Sequence, residues 1–404
     1  MSNLNKEIDR TGTGSVKWEF IYQDEQFTYG DHAHKKHGAD RILPMWVADM
    51  DFPVPQAVTE ALVARARHSV FGYTMPTDSY FDAVVGWMAR RHNWQVQPEW
   101  IALTAGVVPA INYMVKTFVP EGEKVLIQRP VYHPFTMAIE NNNREVVSNS
   151  LVYKEGRYWM DFEDLAQKAA DPAVKMMVMC SPHNPVGRIW SAEELSRVGE
   201  ICLENNVLVV SDEIHCDLLF SGQTFTPFAS INDEFAQNSL TCTAPSKTFN
   251  LAGLSNSNII IPNEELRGQF QETLMNAAHW FTNIFGIVAT EAAYTHGDVW
   301  LDEVMHYVED NYLFMKDYLA AYIPQIKLIE PEGTYLVWAD CRDLGIDAET
   351  RKKLIFDDAK VYLDEGAIFG PEGEDFERFN LACPRHILEE ALERIKAAIS
   401  SHNG

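Results

Sequence analysis

The stretch Val207-Leu208-Val209-Val210-Ser211-Asp212-Glu213-Ile214-His215 decides how the rest of the chain is read. Four apolar residues, three of them β-branched, stop abruptly at a polar and acidic sequence. A run this apolar and this short suits a strand buried on both faces of a parallel sheet. Asp212 stands just past its end. A carboxylate there is costly unless something positive meets it. Two readings follow: an acid that caps a helix or pairs with a cation of the chain, or a carboxylate facing a protonated ring nitrogen of a bound molecule.

Outward from that strand the pattern repeats. Apolar runs fall at 101–104, 124–128, 145–149, 176–180, 207–211, 240–243 and 258–261, with amphipathic helical stretches such as 192–205 between them. The alternation predicts an α/β fold with a mostly parallel central sheet and crossover helices. Residues 3–40 are polar with scattered aromatics and read as an extended arm or short helices. Pro53 and Pro55 break the chain before a helix over 56–69. After residue 264 the chain reads as mostly helical, with one long helix over 290–321. Strands at 334–339, 361–363 and 378–381 and a last helix over 387–400 follow. The expected organisation is an arm and part of a small domain in 1–52, a large α/β domain in 53–290, and an α+β small domain completed by 291–404.

The 404 residues carry a net charge of −25, with 46% apolar and 23% charged residues. That balance argues against nucleic acid and anionic membranes as partners. The six cysteines form no C-x-x-C pair and lie at no zinc-ligand spacing, so no metal is expected. The opening MSNLNKEIDR has no apolar signal segment, and no apolar run approaches the ~20 residues of a membrane span. A cytoplasmic protein with reduced cysteines is expected.

Ligands of open α/β sheets gather at the carboxyl ends of the strands, and three more candidates stand there. Thr104-Ala105-Gly106-Val107-Val108-Pro109-Ala110 joins a strand to a helix start, where free N–H groups can cradle a phosphate; many plain turns look the same. Ser181-Pro182-His183-Asn184-Pro185-Val186-Gly187 sets an asparagine in a tight turn, where its amide can donate to a phenolate oxygen or serve the turn alone. Ala244-Pro245-Ser246-Lys247-Thr248-Phe249-Asn250-Leu251-Ala252-Gly253 places a lysine among small and apolar residues. A desolvated lysine loses its proton readily and supplies the amine for a Schiff base; the competing reading is an ordinary surface lysine.

Taken in order, SPHNPVG, VVSDEIH, APSKTFNLAG and FNLACPR resemble the fold-type I pyridoxal-phosphate enzymes of the class I/II aminotransferase superfamily. PMWVADMDFPVP and PVYHPF are similar to the MalY/PatB branch of cystathionine β-lyases. The likeness runs from about residue 42 to the end. It implies the pyridoxal-phosphate-dependent transferase fold and pyridoxal 5′-phosphate as cofactor, held by Lys247 as a Schiff base. It further implies that Asp212 pairs with the pyridine nitrogen, that Asn184 reaches both the phenolic oxygen and the substrate carboxylate, and that Tyr132 stacks on the ring. Val107, Val108 and Ser246 match phosphate-binding positions. Tyr73 matches a tyrosine that reaches the phosphate of a neighbouring subunit, which implies a homodimer with shared sites. Arg385 matches the arginine that grips the substrate α-carboxylate, beside the small residue Ala48. Met45, Trp46 and His133 are candidates for the side-chain pocket.

Two departures from the aminotransferase pattern matter. His215, counted with the cofactor-binding residues, replaces a usual tyrosine, and Ser255 replaces a usual phosphate-clamping arginine. Both are features of the β-lyase branch. The resemblance therefore implies a carbon–sulfur β-lyase that cleaves L-cystathionine or related cysteine S-conjugates to pyruvate, ammonia and a thiol. The alternatives are an aminotransferase and, in a minor role, a regulatory binding protein on the same scaffold.

Overall fold

The computed structural model describes residues 4–23, 26–29 and 41–403. Seven strands form the central sheet: β1 (Ile101–Thr104), β2 (Lys124–Ile127), β3 (Glu145–Ser148), β4 (Val174–Cys180), β5 (Leu208–Asp212), β6 (Ser239–Thr243) and β7 (Ser257–Ile260). Their order is β1-β7-β6-β5-β4-β2-β3. Strands β2 to β6 pair in parallel, and β7 runs antiparallel to both of its neighbours. Each predicted run is a strand, with ends shifted by two residues at most.

Strand pleating explains why the runs are so apolar. In β4, Met176, Val178 and Cys180 join one apolar cluster, with Ile111 and Met114. The intervening Met177 and Met179 join another, with Leu195 and Val198. Alternate side chains point to opposite faces, and both faces are covered by helices. The covering helices are α3 (Val107–Phe118) and α4 (Ala192–Glu204), preceded in the chain by α1 (Gln56–Arg67) and α2 (Asp78–His92). Helix α4 starts at a reciprocal cap: the Ser191 hydroxyl accepts from the Glu194 N–H at 3.2 Å, and the Glu194 carboxylate accepts from the Ser191 N–H at 2.9 Å.

A second sheet is built from β8 (Lys327–Leu328), β9 (Leu336–Asp340), β10 (Asp364–Glu365) and β11 (Phe376–Asn380), antiparallel throughout in the order β8-β9-β11-β10. Leu43–Pro44 pairs in parallel with Val361–Tyr362, so early and late chain segments meet. The described part of the predicted arm is a short helix, Val16–Glu19, and a hairpin of Phe20–Gln23 with Gln26–Tyr29. Residues 1–3, 24–25 and 30–40 of that region lie outside the described residues. Lys17, fully buried, bonds Asp51 at 2.7 Å, and Arg10 bridges Asp49 and Asp51 at 2.8 Å each. These ion pairs clasp the arm onto the Ala48 segment.

The predicted helix over 290–321 is instead two helices. After α5 (Pro245–Thr248) and α6 (Glu264–Asn276) come α7 (Ile284–His296) and α8 (Asp298–Tyr322), and Gly297 separates them. The Gly297 N–H donates to the Ala293 carbonyl at 2.7 Å, and its own carbonyl accepts from Leu301 at 3.0 Å. Apolar spacing continues across the break, which hides it from periodicity. Among the described residues no helix is long and apolar enough to cross a membrane.

A Cβ on Gly297 would lie 2.2 Å from Cε1 of Phe249, two residues past Lys247. Gly297→Ala is expected to lower stability by about 1–3 kcal/mol through overpacking, read as a drop in thermal midpoint.

Candidate active site

The carboxyl ends of β1, β4, β5 and β6 open on one cleft of about 760 Å³ of empty space, part of it open to solvent. Its walls include Ala48, Val107, Val108, Tyr132, Asn184, Asp212, His215, Ser246 and Lys247. Nine of the residues singled out from the sequence thus meet in one place. The parallel strands bring them there, because each strand delivers its following turn to the same edge.

Lys247 sits in α5, directly after β6. Its Nζ donates to the Ala48 carbonyl at 2.8 Å. The side chain keeps some surface open to the cleft, while its ammonium is enclosed. Burial pushes the amine down to about 8; Arg378 also lowers it, while Asp49 and Asp212 oppose the shift. Such an amine is poised to act as nucleophile or base near neutral pH.

Asp212 ends β5 and is 3% exposed. Oδ1 accepts from the Ile214 N–H at 3.1 Å, but among the described residues no cation lies within ion-pairing distance. Burial raises its carboxyl to about 7, against the Ile214 bond and the charge of Lys247. Neighbouring Glu213 is also fully buried, held by Ser211 and Phe228, and is raised by burial to about 8. His215 is buried, its Nδ1 lacks a partner, and burial first, then Lys247 and Arg378, holds it well below the usual range.

Asn184 is fixed from both sides. Its carbonyl accepts from the Tyr132 N–H at 3.2 Å, and its Oδ1 accepts from Arg378 Nη1 at 2.9 Å. Tyr132 is raised to about 12, by burial first and despite the opposing charge of Arg378. No side chain caps the start of α3; the first N–H groups of a helix have no partner within it, so those of Val107 and Val108 are available to an anion in the cleft. Ser246 adds a hydroxyl.

Two expected residues lie elsewhere. Tyr73 is 91% exposed and stacks on Phe281 at 4.9 Å, away from the cleft of its own chain. The other is a correction. Arg385 opens α9 (Arg385–Asn403), where its Nε donates to Asn311 at 2.7 Å and its guanidinium lies 4.7 Å from the Phe314 ring centre. It does not line the cleft. Arg378, seven residues earlier on β11, stands behind the cleft's lining residues too, but it donates to one of them, Asn184. The rule that singled out Asp212 does not find Arg378, since its strand, Phe376-Glu377-Arg378-Phe379-Asn380, is not an apolar run.

Sequence reasoning also missed Asn256 and Tyr335. The Asn256 amide donates to Tyr80 Oη at 2.9 Å and to Thr290 at 2.8 Å, and its buried Oδ1 is unpartnered beside the cleft. Tyr335 donates to the Ala48 carbonyl at 2.9 Å. Nothing in their local sequence marks either one. Of the pocket candidates, Met45 and Trp46 are buried, and His133 is lowered by burial to about 4. His92, Cys216 and Asp217 also cluster, outside the cleft. Asp217 accepts from Trp87, His92 and Thr248 at 2.7 to 2.9 Å, which accounts for that cluster without an ion.

The donor set suits a flat ring that carries an anionic group at one end and a basic nitrogen at the other. Helix N–H groups and Ser246 would meet the anion, Asn184 and Tyr132 the ring, and Asp212 the nitrogen. A protonated nitrogen would supply the cation Asp212 lacks.

The fold is that of the fold-type I pyridoxal-phosphate enzymes, with its cleft at the carboxyl edge of a mostly parallel sheet. The chain belongs to the aminotransferase class I and II family, whose model matches residues 42–395. It is 45% identical to cystathionine beta-lyase PatB of Bacillus subtilis, over 98% of this chain and all of that one. Among solved structures, cystalysin of Treponema denticola, containing pyridoxal 5′-phosphate, superposes with a TM-score of 0.94 at 38% identity, covering both chains completely. A PLP-bound putative aminotransferase of Clostridium difficile 630 gives 0.92 at 41%, covering 99% of this chain and all of that one.

The unpaired Asp212 has a measurable cost. Its folded value of about 7 lies above the ordinary 3.8, so folding takes up a proton between those values and stability falls as pH rises through that window. Without ligand, Asp212→Asn is expected to melt at a higher temperature than the parent at about pH 8, with the gain vanishing near pH 4. Scanning calorimetry at both pH values checks this.

Proposed function

We propose that this chain is a pyridoxal-phosphate-dependent carbon–sulfur β-lyase that cleaves L-cystathionine or related cysteine S-conjugates to pyruvate, ammonia and a thiol. The observation that carries the proposal is an amine at about 8 and a buried, unpaired carboxylate lining one cleft. Whole-length identity to a cystathionine beta-lyase gives the reaction class.

The bound cofactor supplies an electron sink for charge developing at the substrate Cα. The chain's own residues do the rest. Lys247 would hold the cofactor through its amine and, once displaced by the substrate amine, take the Cα proton as general base. Ala48 O and Tyr335 keep that amine in place. Asp212 would keep the ring nitrogen protonated. Asn184 would donate to the phenolic oxygen, Tyr132 would cover the ring face, and Val107, Val108 and Ser246 would hold the phosphate. His215, buried and neutral, would add no charge beside the ring. Arg378, steadied by Asn184, would bind the substrate α-carboxylate in the role first given to Arg385. The thiolate would then leave from Cβ as a Cα–Cβ double bond forms, and water would hydrolyse the released enamine to pyruvate and ammonia.

The reading includes a homodimer. Tyr73 is exposed beside Val70, Phe71 and Met75, and a second copy covering that patch would bring Tyr73 to its partner's phosphate. A cytoplasmic location is part of the same reading, supported by six buried cysteines without a disulfide.

L-cystathionine supplied without any 2-oxo acid should yield pyruvate, ammonia and thiol over many turnovers. A halt after one turnover, with the cofactor left in its amine form, would instead identify an aminotransferase. Lys247→Ala should abolish turnover and the visible absorbance of the bound cofactor.

The two arginines separate cleanly. Arg378→Lys is expected to raise KM for L-cystathionine at least about tenfold by removing the planar guanidinium that Asn184 and the Trp46 carbonyl hold in place. Arg385→Ala should change it by less than about twofold. Steady-state kinetics on both variants decide between them.

A further inference from the structure

The guanidinium of Arg378 already has a carboxylate. Strands β10 and β11 pair so that Asp364 lies directly opposite Arg378. Nη2 of Arg378 donates to Asp364 and also to the Trp46 carbonyl, the latter at 2.9 Å. Nη1 is taken by Asn184, and Nε is buried without a partner. Both side chains are largely enclosed, at 3% exposed for Arg378 and 13% for Asp364.

The other face of the same two strands is different. There Glu365 lies opposite Glu377, and each has its own cation: Lys352 at 2.9 Å from Glu365, and Arg351 at 2.7 Å from Glu377. On the cleft side one cation serves one resident acid. Arg378 also acts through its charge on Lys247, Tyr132, Tyr335, His133 and His215, and the carboxylates Asp49 and Asp212 act on several of the same groups. Burial raises the Asp364 carboxyl, against the opposing effect of Arg378.

An incoming carboxylate therefore meets a receptor whose charge is already balanced. An amino-acid substrate is held at a second point, through its amine. A 2-oxo acid has no amine and offers only its carboxylate and a carbonyl. We propose that Asp364 is a specificity-determining residue that weakens the cleft's hold on 2-oxo acids, disfavouring both retention of the pyruvate product and entry of the second substrate of a transamination. The inference rests on the reading of Arg378 as the carboxylate receptor.

The test measures the dissociation constant of pyruvate for the holoenzyme by calorimetry, in the parent, Asp364→Asn and Asp364→Ser. Removing the resident charge should tighten pyruvate about tenfold, the scale of one close charge pair, and shift the KM for L-cystathionine less. Melting temperatures establish that the variants fold, and the two replacements differ in the hydrogen bonding they keep. Pyruvate bound no tighter, or more weakly, in both variants overturns the proposal and leaves Asp364 a mere support for Arg378. Arg378→Lys is the separate control. If it leaves pyruvate and L-cystathionine affinity unchanged, the carboxylate-receptor reading fails; if it weakens both while the Asp364 variants do not tighten pyruvate, only the present inference fails.

Discussion

The interaction on which this molecule turns is one that its own chain leaves incomplete. Asp212 is carried into the interior at the end of β5, between two parallel neighbours, and receives one backbone N–H and, among the described residues, no cation. A sheet buried on both faces needs the apolar run that delivers it there, and that run also removes the water that would otherwise solvate the acid. The same exclusion lowers Lys247 across the cleft. One act of burial thus raises an acid and lowers a base, and brings both toward neutrality. A ligand with a protonated nitrogen at one end and an electrophilic carbon at the other relieves both.

Around that pair, geometry is enforced from a distance. The Ala48 carbonyl that receives Lys247 belongs to a segment held down by Arg10 and Lys17 through Asp49 and Asp51. Thr248, next to Lys247, is anchored by Asp217, itself fixed by Trp87 and His92 of α2. Phe249 packs edge-on against Trp87 and leaves no room for a side chain at Gly297. The lysine is therefore gripped through the arm, through α2, and through the junction of α7 and α8.

The sheet was legible because its signal is local: the inner strands β4 and β5 are buried and apolar at most positions, and even the edge strand β3, with Glu145 exposed, keeps two adjacent valines. The loops of the site were legible because prolines, glycines and isolated charges punctuate the strand ends. What escaped had no local mark. Gly297 interrupts two helices whose apolar spacing runs on unbroken. Tyr335 and Asn256 look like ordinary core residues until the fold carries them to the cleft. Arg378 had no such mark either, because its strand also carries Glu377 and Asn380, whereas Arg385 stands beside a proline at a helix start and faces Asn311 and Phe314.

His215 and Ser255, the positions at which the chain departs from the aminotransferase pattern, do not lie in the sheet. His215 follows β5 in a turn, and Ser255 adopts a left-handed conformation at a helix end two residues before β7. Neither contributes a rung to a strand ladder. The scaffold thereby separates what must be kept to fold from what can be altered to change chemistry. Lineages sharing this architecture can trade one reaction for another through replacements in turns, at little expense to the stability of the whole.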